Sequence, residues 1–124
     1  MNEEVIIKRY FKHLSKNNPN SLNLNDDVFF DKKKKLVISI DNYIEGVHFL
    51  NFKRPDLVIR KILRSSISDI FAKGVNPNYF FISGSGNKKS FSKKNIKLIS
   101  TSLSREQKKY NIKLSGGDTT YSSK

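Results

Sequence analysis

Residues 55–83 read PDLVIRKILRSSISDIFAKGVNPNYFFIS, and their punctuation decides the fold. Pro55 suits the first turn of a helix, where its missing N–H is not needed, and Asp56 complements the positive end of the helix dipole. Ile59, Ile62, Leu63, Ile67 and Ile70 recur at helical spacing and predict one apolar face. Gly74 is a natural stop, because helices commonly end on a left-handed residue. Tyr79 to Ser83 is aromatic and β-branched, which predicts a strand. Downstream, Ser90 is the expected cap of a second long helix with Ile96, Ile99, Leu103 and Tyr110 on one face. Asn111 closes that helix, and Ile112 to Leu114 begins another strand. Upstream, Val28 to Phe30 and Leu36 to Ile40 bracket Lys32-Lys33-Lys34-Lys35 as a hairpin turn. Asn17 to Asn25, with Pro19, reads as a loop, and Val5, Ile6, Tyr10 and Leu14 place a short helix over residues 3–14. The class is α+β or mixed α/β, with helices covering a mixed or antiparallel sheet. Neither repeats nor an internal linker interrupt residues 1–124, so one domain is expected.

Composition narrows the function. Leu, Ile, Val and Phe sum to 38 of 124 residues, enough for one modest core. The absence of cysteine excludes a disulfide scaffold, a thiolate metal site and a cysteine nucleophile together. No apolar run reaches the ~18 residues of a membrane span. The opening Met1-Asn2-Glu3-Glu4 is acidic where a secretory signal is basic, so a cytoplasmic protein is expected. The net charge of +13 invites a nucleic-acid partner. However, 19 of the 24 basic residues are Lys, and the chain is rich in Asn and Ile with a single Ala. That is the signature of A/T-rich coding rather than of Arg-based phosphate recognition. Nucleic acid is therefore the lesser reading.

In an acid-poor chain the placement of carboxylates carries information. Asp26 and Asp27 sit at the entry to the first strand, and Asp41 would project from the end of Leu36–Ile40. Asp69 shares a helix face with Ser65 and Ser66. Asp118 follows Ser115-Gly116-Gly117 in a small-residue turn where backbone could approach a phosphate. Taken singly, Asp26, Asp41 and Asp118 read as turn and cap residues. Taken together with their hydroxyl neighbours, they read as hard-oxygen ligands for Mg²⁺. Gly84-Ser-Gly-Asn-Lys-Lys-Ser90 is not a P-loop, because Asn87 stands where that motif needs Gly before its Lys. Of the two histidines, His13 lies on the polar face of the first helix. His48, in Glu45-Gly46-Val47-His48-Phe49, is suited to contact an anionic substrate or to pack.

Five separated segments also match one family in order. Asn25-Asp26-Asp27, Ser39-Ile40-Asp41, Glu45-Gly46-Val47-His48-Phe49, Ser68-Asp69 and Gly116-Gly117-Asp118-Thr119-Thr120 resemble the N-terminal portion of thiamine-monophosphate kinases. That family belongs to the aminoimidazole ribonucleotide synthetase-like superfamily. The resemblance implies an ATP- and Mg²⁺-binding α+β domain that forms a homodimer through its sheet. The implied reaction is ATP-dependent phosphorylation of thiamine monophosphate to thiamine diphosphate. By the same resemblance Asp27, Ser39, Ile40, Asp41, Asp69 and Asp118 match metal ligands, Ile40 through its carbonyl alone because a Thr stands there in the family. Gly117 and Asp118 match a nucleotide contact and His48 a substrate contact, and no side chain is required as a nucleophile. Two further departures are Asn23-Leu24-Asn25 in place of Gly-x-Gly, and Thr101 where many members place a Tyr near the nucleotide.

Members continue beyond the Gly-Gly-Asp-Thr-Thr segment with an Arg-Gly-type segment, a further strand and a whole C-terminal domain. The expectation is therefore an incomplete domain without kinase activity alone, with a separate chain as one source of the missing half. The alternatives are a dimerising nucleotide-binding remnant and, behind it, a small basic nucleic-acid binder.

Overall fold

The computed structural model describes residues 1–26 and 28–123. The chain forms two compact units, Met1–Asp41 and Asn42–Lys124.

In the first unit the expected N-terminal helix is broken into kinds. Helix α1 (Glu3–Ile6) is capped by the Asn2 side chain, which accepts from Val5 N–H at 3.0 Å. A π-helical segment, Ile7–Phe11, and a 3-10 turn, Lys12–Ser15, continue it and carry His13. The loop at Pro19–Leu24 is coiled into 3-10 turns, with Leu22, Asn23 and Leu24 all at φ between 53° and 57°. Asn tolerates that left-handed region, whereas Leu does so only at a cost of ~1–2 kcal/mol. Strands β1 (Val28–Asp31) and β2 (Leu36–Ser39) pair antiparallel, with Asp31 opposite Leu36 and Val28 opposite Ser39. The lysine turn joins them as expected. Asp31 Oδ1 accepts from Lys34 N–H at 3.1 Å, which secures a turn that four like charges would otherwise open.

The second unit is built on α2 (Pro55–Phe71) and α3 (Lys93–Tyr110), with β3 (Tyr79–Gly86) and β4 (Lys113–Tyr121) paired parallel. Pro55 opens α2, and Gly74 lies beyond its end at φ +73°. Leu63 and Ile67 from α2 pack with Ile112, only 1% exposed, and with Phe80, Leu103 and Tyr110. Val58 and Ile59 are buried as well, whereas Ile62 and Ile70 are half-buried and Ile96 is exposed. Two polar residues of α3 are buried instead. Ser102 Oγ donates to the Asp56 carbonyl at 2.8 Å, and Glu106 accepts two hydrogen bonds from Arg64 at 2.8 and 3.0 Å. The pair locks α3 onto α2 in one register.

Two expectations are corrected. The cap of α3 is Ser92, whose side chain accepts from Asn95 N–H at 3.3 Å. Ser90 is taken up by Asn87, which accepts from both its N–H and its hydroxyl. The Gly116-Gly117-Asp118 segment is not a turn after the last strand but lies inside β4. Among the described residues the strands pair antiparallel in the first unit and parallel in the second. The α+β class stands.

Candidate functional site

In the first unit, Ser39 is the last residue of β2, followed by Ile40, 92% exposed, and the exposed Asp41. Ser39 Oγ is buried and meets no hydrogen-bond partner among the described residues. The hydroxyl and the carboxylate two residues on are both hard oxygens, a donor set that fits Mg²⁺. Asp26 stands at the approach to β1, while Asp27 lies outside the described residues.

In the second unit, Asp69 is half-buried on α2, on the face that carries Ser65 and Ser66. The helix fixes the backbone from which that carboxylate projects. His48 lies in a tight loop pinned to the same helix. Ile44 N–H donates to His48 Nδ1 at 2.8 Å, and His48 N–H donates back to the Ile44 carbonyl at 2.9 Å. Gly46, at φ +80°, allows the loop to close, and its N–H donates to the Phe49 carbonyl at 2.7 Å. Lys61 Nζ, from α2, donates to the His48 carbonyl at 2.7 Å. Tyr43 sets its ring edge-on to His48 at 5.6 Å and places its hydroxyl 3.1 Å from Ser66 Oγ.

On β4, Gly117 lies opposite Ile82 and Asp118 opposite Ser83. Ser115 is an extra residue at the register shift, where Phe80 pairs with Leu114 and Phe81 with Gly116. Asp118 is exposed, and its Oδ1 accepts from Thr119 N–H at 2.9 Å, which orients the carboxylate. Among the described residues no three His, Asp or Glu side chains group closely enough to hold a metal ion by themselves. A Mg²⁺ ion here would therefore draw on hydroxyl, main-chain, water or phosphate oxygens as well, as that ion commonly does.

A family model described as AIR synthase related protein, N-terminal domain, matches residues 24–124. The chain belongs to this family. Relatives among curated proteins include thiamine-monophosphate kinases from Buchnera aphidicola of Schizaphis graminum, 33% identical over 95% of this chain and 37% of that protein, and from Caulobacter vibrioides, 32% identical over 94% of this chain and 34% of that protein. A crystal structure of thiamine monophosphate kinase from Aquifex aeolicus aligns with a TM-score of 0.69 at 26% identity. It covers 81% of this chain and 33% of that one. The AIR synthase related domain thus spans roughly a third of the length of the proteins it matches, and is similar to their N-terminal portion. The match at 24–124 contains every candidate site residue named above.

Two features of this AIR synthase related domain were not read from sequence. Tyr43 and Lys61 anchor the His48 loop, and the available signal was the four-residue spacing of Lys61, Ser65 and Asp69 along α2. Thr101 lines an open, basic depression of about 460 Å³ with Lys93, Lys94, Lys97 and Leu98 on α3. Among the described residues no helix is long and apolar enough to cross a membrane.

Proposed function

We propose that the domain is the nucleotide- and Mg²⁺-binding N-terminal portion of a thiamine-monophosphate kinase, acting in ATP-dependent formation of thiamine diphosphate. The observation that carries this reading is the likeness to curated kinases of that name along 94–95% of the chain. The chemistry of the residues supports it. ATP and thiamine monophosphate are both anionic, and a bound Mg²⁺ supplies the charge neutralisation and alignment that phosphoryl transfer needs. Hard oxygens for Mg²⁺ are offered by Ser39, the Ile40 carbonyl and Asp41 in the first unit and, taken separately, by Asp69 and Asp118 in the second; Asp27 joins them by the resemblance alone. Gly117 and Asp118, on the exposed strand β4, are the nucleotide contact in this reading. His48, its Nδ1 engaged by Ile44, turns its other nitrogen to the substrate. No nucleophile from the protein is required.

A homodimer through β3 and β4 belongs to the same proposal. Tyr79, Phe81, Leu114 and Tyr121 are 49–73% exposed there, and all nine residues of β4 are exposed. Completion of a kinase active site by residues outside this chain is also part of it, so turnover by the 124 residues alone is not expected.

Equilibrium dialysis of thiamine monophosphate against unphosphorylated thiamine, in the presence of Mg²⁺, tests the substrate. Preference for the phosphorylated form, weakened in His48→Ala, is expected. Equal binding of the two forms, or of neither, would overturn the substrate assignment.

A further inference from the structure

The proposed function leaves open why a loop residue, exposed on its surface, should hold one orientation. We propose that Lys61 is a positioning residue that fixes His48 in a single tautomer, with its outward nitrogen carrying the proton. The claim deepens the substrate reading and rests on it for its purpose, though not for its geometry.

Ile44 N–H points at His48 Nδ1 from 2.8 Å, so Nδ1 must be the unprotonated acceptor. In a neutral imidazole the proton then sits on Nε2, and the ring presents a hydrogen-bond donor outward. A donor suits a phosphate or carboxylate oxygen, which can only accept. This arrangement needs Ile44 and His48 held in register. Their reciprocal main-chain bond at 2.9 Å does part of that work, but both residues lie in an exposed loop. The loop reaches the rigid helix through Lys61 Nζ on the His48 carbonyl at 2.7 Å and through Tyr43 on Ser66 at 3.1 Å. The lysine contact acts directly on residue 48. It is also the charged one, and charge-assisted hydrogen bonds are the stronger kind. Lys61 therefore acts on the substrate through His48 rather than by touching it.

Nitrogen NMR of the ¹⁵N-labelled imidazole in the full chain, at pH ~8.5 where histidine is ordinarily neutral, reads the tautomer without any ligand. The wild-type protein is expected to show one His48 species with Nδ1 unprotonated, and an Ile44 amide protected from exchange. Lys61→Met is expected to mix the tautomers and speed Ile44 exchange about ten-fold, with circular dichroism unchanged. Lys61→Arg, which keeps a cationic donor, is expected to restore both signals. A protonated Nδ1 in the wild-type spectrum overturns the proposal before any variant is made. So does a folded Lys61→Met protein whose His48 and Ile44 signals match wild type. These readouts need no substrate, so they fail separately from the dialysis described above.

Discussion

Replacing Gly117 with Ala tests the pairing that places the candidate nucleotide contact. Gly117 lies in β4 at φ +154°, a region open to glycine. Forcing another residue there costs ~1–3 kcal/mol. A Cβ built at 117 would also run into the carbonyl oxygen and carbon of Ile82, its partner on β3. Main chain held in a ladder cannot step aside, so relief parts the strands, at a cost comparable to overpacking, ~1–3 kcal/mol. The sum is ~2–6 kcal/mol, a large part of the ~5–15 kcal/mol available to a domain.

Gly116 is the internal control. Its φ is +157°, but its Cβ would meet only the Phe81 ring, at 3.1 Å, and that residue is 73% exposed and free to turn. Gly116→Ala therefore bears the backbone share alone. The gap between the variants isolates the collision, ~1–3 kcal/mol, or a Tm difference of roughly 4–12 °C at about 4 °C per kcal/mol. Urea titration and thermal melts followed by circular dichroism measure it. Equal stabilities for Gly116→Ala and Gly117→Ala would refute the β3–β4 register.

The buried Glu106 side chain, 4% exposed, relies on Arg64. Arg64→Ala is expected to melt earlier than the double variant Arg64→Ala/Glu106→Gln, because only the single change strands a buried charge; the reverse order argues against the clamp. Ser92→Ala removes the cap of α3 and should cost ~1 kcal/mol in urea titration, whereas Ser90→Ala acts only through the Asn87 turn. The Asp56 carboxyl is held below the usual carboxylate range, first by its hydrogen bond to the Arg54 guanidinium. Its folded value is lowered, so the small stability it contributes is present above the unfolded value of ~3.9 and disappears as pH falls through the lower folded one. In Arg54→Ala the Asp56 titration followed by carbon NMR should move up; an unmoved midpoint contradicts the assignment.

Features encoded locally were legible in the sequence. Pro55 and Gly74 bracket α2, Asn111 ends α3 in the left-handed conformation, and the lysine turn joins β1 to β2. Asn23 accepts the positive φ that a family glycine would supply. Features created by partners distant in sequence were not legible. Gly116-Gly117-Asp118 has the composition of a turn and becomes strand only because β3 offers a ladder. Glu106 reads as a surface residue until Arg64, 42 positions earlier, reaches it. The candidate carboxylates stood out because the chain has so few acids, and Asp69 fell on the predicted helix face. The His48 loop's dependence on Lys61 and Tyr43 needed the fold.

Calorimetric titration of Mg·ATP into the chain, set beside Asp69→Asn and Asp118→Asn variants and an EDTA control, bears most directly on the proposed nucleotide and metal role. Mg²⁺-dependent binding that both substitutions abolish or weaken at least ten-fold, with melting behaviour retained, is the predicted result. Nucleotide binding that survives EDTA and ignores both substitutions, or no binding at all, would contradict it.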